Sequence, residues 1–301
     1  MTAGRRPATV ATPAAAALGF RSELIFHCVD GEVIDCRAEH GCRVIRTPSN
    51  PTYYWGNCLL FEHAPRPGDE WRWTELFERL IAASQPESTH RAYGWMEDAP
   101  GDISGFLADG YTQNNAVVMQ TSVVPTVPAP TLDVQLRPFA LAGDAAERDW
   151  SALAALSVAT RGEQFEESDY WPFARRRVEC WRNLAHTGQG NWFGAFLDVA
   201  DAGPRLVAAL GVYVEAQPEA GERLARYQSV MTDAAYRRRG LCRALVAAAA
   251  LHARDALRAD RLIIVAAAGE MPEQLYADLG FVAAGLQRGV QRMPGLGVNG
   301  P

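Results

Sequence analysis

The chain has 301 residues, nearly half of them hydrophobic, and a formal net charge of −6. That length holds two modest domains, and that apolar share builds a sizeable core without staples. The acidic balance excludes a general nucleic-acid binder, and no stretch reaches the length of a membrane-spanning helix.

The chain begins with Arg5 and Arg6, followed by Ala, Thr and Pro. It lacks the leucine-rich centre of a secretory signal, so residues 1–19 read as a disordered tail. Phe20–Val29 and Cys42–Arg46 read as short strands. Two prolines in Thr47–Pro51 break the chain. Tyr53–Phe61, dense in aromatic and apolar residues, reads as a buried strand. Arg66–Asp69 is a turn, and Trp71–Ala83 carries Trp73, Leu76, Phe77, Leu80 and Ile81 at helical spacing. Thr89–Met96 and Ala116–Val124 read as strands, with Gly105–Tyr111 between them. Cys28, Cys36, Cys42, Cys58, Cys180 and Cys242 form no Cys-x-x-Cys pair and read as free thiols in a reducing cytoplasm. His27, His40 and His63 lie near the first four, but the spacings fit no structural zinc pattern, and no metal is assigned.

Val124–Pro130 holds three prolines in seven residues and reads as a stiff linker. After it, Leu132–Arg137 alternates as a strand. Asp144–Val158 and Ser168–Ala185 read as helices, the second capped by Ser168 with Pro172 near its start. Trp192–Val199 and Leu206–Glu215 read as a hairpin. A strand at Arg226–Thr232 then runs into the arginine-rich loop Arg237-Arg238-Arg239-Gly240-Leu241-Cys242. A long alanine-rich helix (Arg243–Ala259), a strand (Arg261–Ala266) and a short helix (Glu273–Leu279) follow, ending on Leu279-Gly280-Phe281. Strand, cationic glycine loop and helix together make an anion site. The first turn of a helix has amides without partners and lies at the positive end of the dipole. Gly240 lets the backbone come close to a phosphate, and the loop suits a pyrophosphate.

At these residues the chain resembles the GNAT superfamily of acyl-CoA-dependent N-acyltransferases. Arg237–Cys242 is similar to its Arg/Gln-x-x-Gly-x-Gly/Ala loop, with Cys242 at the last position as a departure. Leu275–Phe281 is similar to its second signature, a Tyr a few residues before Gly-Phe. The resemblance is clear over about residues 224–290 and extends plausibly back to Leu132. It implies an α/β (mixed α+β sheet) fold, with residues 132–293 as the catalytic domain. It also implies acetyl-CoA as co-substrate and a small-molecule or peptide amine as acceptor, with no nucleic acid or membrane partner. Gly110-Tyr111 can be laid on Gly280-Phe281, and Phe106 then falls where Tyr276 does. Residues 20–124 therefore read as a degenerate copy of the same module, without the cationic glycine loop, joined by the linker 125–131. The competing reading is an unrelated α/β cap.

Acyl transfer from a thioester to an amine needs a polarised carbonyl, a neutral amine and a protonated leaving thiolate. The resemblance assigns the first to backbone N–H groups of Val230, Met231 and Thr232, and the pyrophosphate to Arg237, Arg238, Arg239, Gly240, Leu241 and Cys242. It makes Tyr276 the general acid toward sulfur, since an unperturbed phenol stays protonated at neutral pH. The family often has an Asn before this helix, where this chain has Gly269–Pro272. Glu215, Gln228 and Asp233 lie near strand ends as candidates for the base, beside an ordered water chain. His252 reads as structural or exposed. The alternative of another class is a non-catalytic acyl-CoA-binding regulatory module. A nucleotide-phosphate binder ranks below it, because the loop lacks the Lys-Ser/Thr ending of a P-loop.

Overall fold

The computed structural model describes residues 15–27, 31–200, 203–216 and 221–294. Two runs of the chain repeat one plan. In the first, β1 (Glu32–Cys36), β2 (Cys42–Arg46) and β3 (Cys58–Phe61) pair antiparallel in sequence, with the short helix α2 (Arg37–His40) between β1 and β2. Helix α3 (Asp69–Phe77), prolonged by a π turn (Glu78–Ala82), crosses over to β4 (Arg91–Trp95), which lies parallel to β3. Helix α4 (Ser104–Ala108) then leads into β5 (Thr112–Thr121).

In the second run, β6 (Gln135–Pro138) is followed by α5 (Gly143–Ala159) and α6 (Glu167–His186). Then β7 (Gly190–Val199), β8 (Gly203–Val214) and β9 (Leu224–Thr232) continue the antiparallel array. Helix α7 (Leu241–Asp255) crosses to β10 (Arg261–Ala267), parallel to β9. Helix α8 (Met271–Asp278) leads into the last strand, β11 (Val282–Arg292).

The two runs form one eleven-stranded mixed sheet, ordered β1-β2-β3-β4-β11-β5-β10-β9-β8-β7-β6. The closing strands are exchanged. β11 lies against β4 of the first run, and β5 lies against β10 of the second, while β5 and β11 pair with each other antiparallel. Both closing strands leave a short helix through the same turn. Gly110 (φ 78°) and Gly280 (φ 85°) are left-handed, a conformation glycine adopts without steric cost. The next amide returns to the helix in each copy, Tyr111 to Phe106 O at 3.0 Å and Phe281 to Tyr276 O at 3.1 Å. The sheet thus passes straight through the linker region that divides the sequence. That linker lies on the glycine loop, where the Thr131 amide donates to Arg239 O at 3.1 Å.

Most expected elements form within a few residues of their predicted ends, and four readings are corrected. Phe20–Val29 is not a strand. Helix α1 (Ala15–Glu23) and a 3-10 turn (Leu24–His27) occupy its described part, and Val29 lies outside the described residues. The expected tail ends in the same helix, while residues 1–14 lie outside the described residues. The helix forms because it has two apolar surfaces to cover. Leu18 packs with Val118, Leu224 and Ile263, and Phe20 with Ile45, Leu60 and Ala92, so α1 bridges the two runs. Tyr53–Phe61 is half a strand. A 3-10 turn (Tyr54–Gly56) precedes β3 because the buried Asn57 side chain holds the bend, accepting from Thr47 N and donating to Asn50 O and Tyr53 O. Ser168 does not cap α6. Glu166 precedes the helix and Pro172 stands inside it. Finally β1, whose Val33 and Ile34 are exposed, gave no buried-strand pattern to read.

Candidate active site

β9 and β10 pair only over Leu224–Arg226 against Arg261–Ile263, and β9 then continues to Thr232 without β10 beside it. The opening is set by a bulge. Between Ala209↔Met231 and Gly211↔Gln228, β9 carries one residue more than β8, and Ser229 takes φ 44°. A bulge of this kind bends its strand and leaves an unpaired residue in the ladder. The result is a cleft of ≈ 680 Å³ whose wall includes Val230, Met231, Thr232, Gly240, Cys242 and Tyr276.

The loop after β9 is shaped by two left-handed residues, Arg238 (φ 59°) and Gly240 (φ 81°). Gly240 stands at the N-cap of α7 and provides no side chain to cap it. Among the described residues, Ala244 is the first amide of that helix to find an acceptor, Gly240 O at 3.0 Å. The amides of Leu241, Cys242 and Arg243 therefore remain at the positive end of the helix dipole, facing a cleft that Arg237, Arg238 and Arg243 also line. Unspent amides beside cations suit the pyrophosphate of a CoA thioester.

Tyr276 is 5% exposed and lies on α8 across the cleft from β9. Burial, with the nearby Cys242 thiol second, holds its phenol above the ordinary range. The hydroxyl has no hydrogen bond to another described residue, so it is a protonated and uncommitted donor. Burial also pushes the Cys242 thiol up to about 11, which keeps it neutral. Arg243 ties the two cleft helices together, donating to Asp278 at 2.6 Å.

A second cavity, ≈ 470 Å³, lies between the two runs of the chain. Thr160 and Met231 line both cavities, so they meet at the β9 bulge. The walls of the second come from α1, α6, β9 and the Tyr53–Trp55 turn. Glu23 accepts from Arg226 at 2.9 Å and from the Tyr53 hydroxyl at 3.4 Å. His27 is buried in that wall, and desolvation followed by the Arg177 charge lowers its pKa to about 4, leaving it neutral.

The family model for acetyltransferases of the GNAT family matches residues 150–281, from α5 through the loop and α8 to Phe281. Over that segment the chain matches the GNAT family model. Its family supports acyl-CoA N-acyltransferase activity in general. Among solved structures the chain is similar to a conserved protein of unknown function from Staphylococcus epidermidis. That match has 10% identity and a TM-score of 0.62, covering 88% of this chain and 94% of that one. It is also similar to a GCN5-related N-acetyltransferase from Kribbella flavida, at 16% identity and a TM-score of 0.54, covering 92% and 95%. These likenesses show the fold. A tandem GNAT protein from the clavulanic acid biosynthesis pathway aligns over 78% of this chain and 77% of its own, at 16% identity and a TM-score of 0.45. No curated protein matches the chain.

The structure places Val230, Met231, Thr232, Arg237, Arg238, Gly240, Leu241, Cys242 and Tyr276 around the one cleft beside β9. Arg239 is not among the lining residues; its side chain is exposed, and Arg243 lines the cleft instead. Three successive arginines cannot all face one ligand, whereas Arg243 sits on the first turn of α7. Two candidate bases are already committed. Glu215 accepts two bonds from Arg21, at 2.6 and 2.7 Å. Asp233 accepts from Ala235 N and Arg205, both at 3.0 Å. Gln228 lines the second cavity. His252 is half-buried on α7 with its ring against Phe193, which is a packing role. Among the described residues no group of three or more His, Cys, Asp or Glu is placed to hold a metal ion.

The first run keeps the geometry of the GNAT domain but fills its cleft. β3 is paired to β4 through its last residue, and Met96 N donates to Phe61 O at 2.8 Å, so no opening forms. Gly68 (φ 90°) stands at the N-cap of α3, as Gly240 does at α7. Here the turn is occupied from within. Asp69 accepts from Arg66 N at 2.8 Å, and Glu70 from Gly68 N at 3.0 Å. Phe106, where Tyr276 stands in the other copy, is fully buried against Trp73, Tyr93 and Tyr111.

Proposed function

We propose that the chain is an acetyl-CoA-dependent N-acetyltransferase that moves the acetyl group to a primary amine by direct transfer. Residues 132–293 form the catalytic unit, and residues 20–124 form its degenerate copy. The observation that carries this reading is the convergence on one cleft of three features: a bulged strand, an uncapped cationic helix turn and a protonated tyrosine. Acetyl-CoA supplies the thioester. The amine nitrogen attacks its carbonyl carbon, the C–N bond forms as the C–S bond breaks, the nitrogen loses a proton and the departing sulfur takes one. Amides of Val230–Thr232 polarise the carbonyl, since β10 has drawn away from this part of β9. The α7 turn with Arg237, Arg238 and Arg243 holds the pyrophosphate. Tyr276 gives its proton to the sulfur, which burial of the phenol favours by keeping it protonated.

The chain works in a reducing cytoplasm, which suits five described cysteines that are all free thiols. No described helix is long and apolar enough to cross a membrane. The test is release of free thiol from acetyl-CoA over a panel of amines, with the acetylated product identified by mass. Thiol release matched by N-acetyl product supports the reading. Tight binding of acetyl-CoA with no turnover on any amine favours the regulatory alternative.

A further inference from the structure

Arg177, on α6, is 4% exposed and lines the second cavity. Its one hydrogen bond to another described residue goes to the Tyr53 hydroxyl, from Nη2 at 3.0 Å. Its other close neighbours are ring faces, Tyr53 at 4.1 Å, Trp181 at 4.9 Å and Phe26 at 5.8 Å from the guanidinium carbon. No carboxylate of the described residues lies within ion-pair distance of it. Glu23, the acid of this wall, is paired with Arg226 at 2.9 Å instead. Of the two buried arginines in this wall, Arg226 therefore has a carboxylate and Arg177 has none among the described residues.

Arginines this deeply buried are ordinarily paired, because an unpaired charge loses its hydration without return. Ring faces return only part of that loss. Nε and Nη1 of Arg177 have no partner among the described residues, yet neither is among the side-chain nitrogens sealed from solvent without one. They are open to the cavity that the residue lines. Trp181, one turn further along α6 and in the same wall, has a buried Nε1 that also lacks an acceptor. The wall thus offers a planar guanidinium fork with no anion in it, the geometry that receives a carboxylate.

We infer that Arg177 receives a carboxylate of the acceptor, so that the acceptor is a free amino acid, its amine reaching the β9 bulge while its carboxylate sits on α6. This rests on the amine-acetylation reading above. The cavity volume is that of a small-molecule site. Phe20, Trp55, Tyr170 and Phe173 complete its walls and suit an apolar or aromatic side chain. The cavity adjoins the acyl cleft at Thr160 and Met231, which line both, and this border is where the amine would meet the thioester carbonyl.

The test uses the full chain, saturated with CoA for calorimetry and supplied with acetyl-CoA for turnover. The probes are the twenty amino acids, their carboxamides, which stand for a peptide N-terminus, and the corresponding decarboxylated amines. At least one amino acid is expected to bind, or to release thiol, about tenfold or more better than its own carboxamide and amine, as befits a charge-assisted fork. Arg177→Met is expected to erase that preference and Arg177→Lys to keep part of it, with thermal unfolding confirming that each variant folds. The inference is overturned if the carboxamides or amines match the acids in the unaltered protein, if no amino acid binds, or if a folded Arg177→Met retains the preference. Failure of the acetyl-transfer reading looks different: no probe of any set releases thiol, while the binding preference for the acids persists.

Discussion

At the scale of single residues the site depends on groups held in one protonation state by burial. Tyr276→Phe removes the donor to sulfur and keeps most of the packing against Phe281. The expected outcome is a catalytic rate at least about tenfold lower with CoA affinity within roughly threefold, measured by steady-state kinetics beside calorimetry. An unchanged rate would return Tyr276 to packing alone. Histidines supply the pH dependence. Desolvation lowers both His27 and His90 to about 4. Their folded values lie below the unfolded value, so the unfolded chain takes up protons first as pH falls. Stability is therefore intact above about 6.5 and is lost down to about 4, by up to about 3 kcal/mol for each histidine. His90 is far from the cleft, with Nε2 on Asn57 O at 2.9 Å. Denaturant unfolding of His90→Gln at pH 7.5 and pH 5 should show a loss smaller than that of the unaltered chain by about 1–2 kcal/mol. Equal losses would mean that His90 is protonated in the fold.

At the scale of elements, the decisive unit is the β9–loop–α7 turn. Gly240→Asp places a carboxylate where the uncapped amides face the cleft, and CoA binding should be lost in calorimetry. Gly240→Asn carries the same backbone strain at φ 81° without the charge and should keep part of the affinity. Equal behaviour of the two would assign the loss to strain. This turn was legible because its chemistry is local: glycine, arginines and a helix start lie within a few residues. The role proposed for the backbone of Val230–Thr232 was legible only through the family resemblance. Its cause, the Ser229 bulge, leaves no mark in side-chain pattern. Helix α1 was misread because Phe20, Ile25 and Phe26 suggest a buried strand, whereas they serve two packing surfaces that exist only once both runs are folded. Arg177 carried no signal at all. An arginine in an amphipathic helix is ordinarily solvated, and only the fold shows it buried without an acid.

At the scale of the whole molecule, the duplication hinted at by Gly110-Tyr111 and Gly280-Phe281 is matched by a recurring order: three antiparallel strands, a crossover helix, a parallel strand, a short helix and a closing strand, in β1–β5 and again in β7–β11. The exchange of β5 and β11 had no trace in the sequence, because it is made by backbone pairing between strands far apart in the chain. Through that exchange each run contributes a strand to its partner, and the second cavity, proposed above to take the acceptor, lies between them. The filled copy is as informative as the open one. Asp69 and Glu70 occupy its helix turn, and Phe61 stacks on Trp73 at 3.7 Å where a pantetheine arm would pass. On the reading proposed above, only the second run holds a working acyl-CoA cleft. Calorimetric titration of the full chain with CoA tests it most directly. The expected stoichiometry is one CoA per chain, abolished by Gly240→Asp; two CoA per chain, or one that survives that substitution in a folded protein, would rule out a single cleft at the α7 turn.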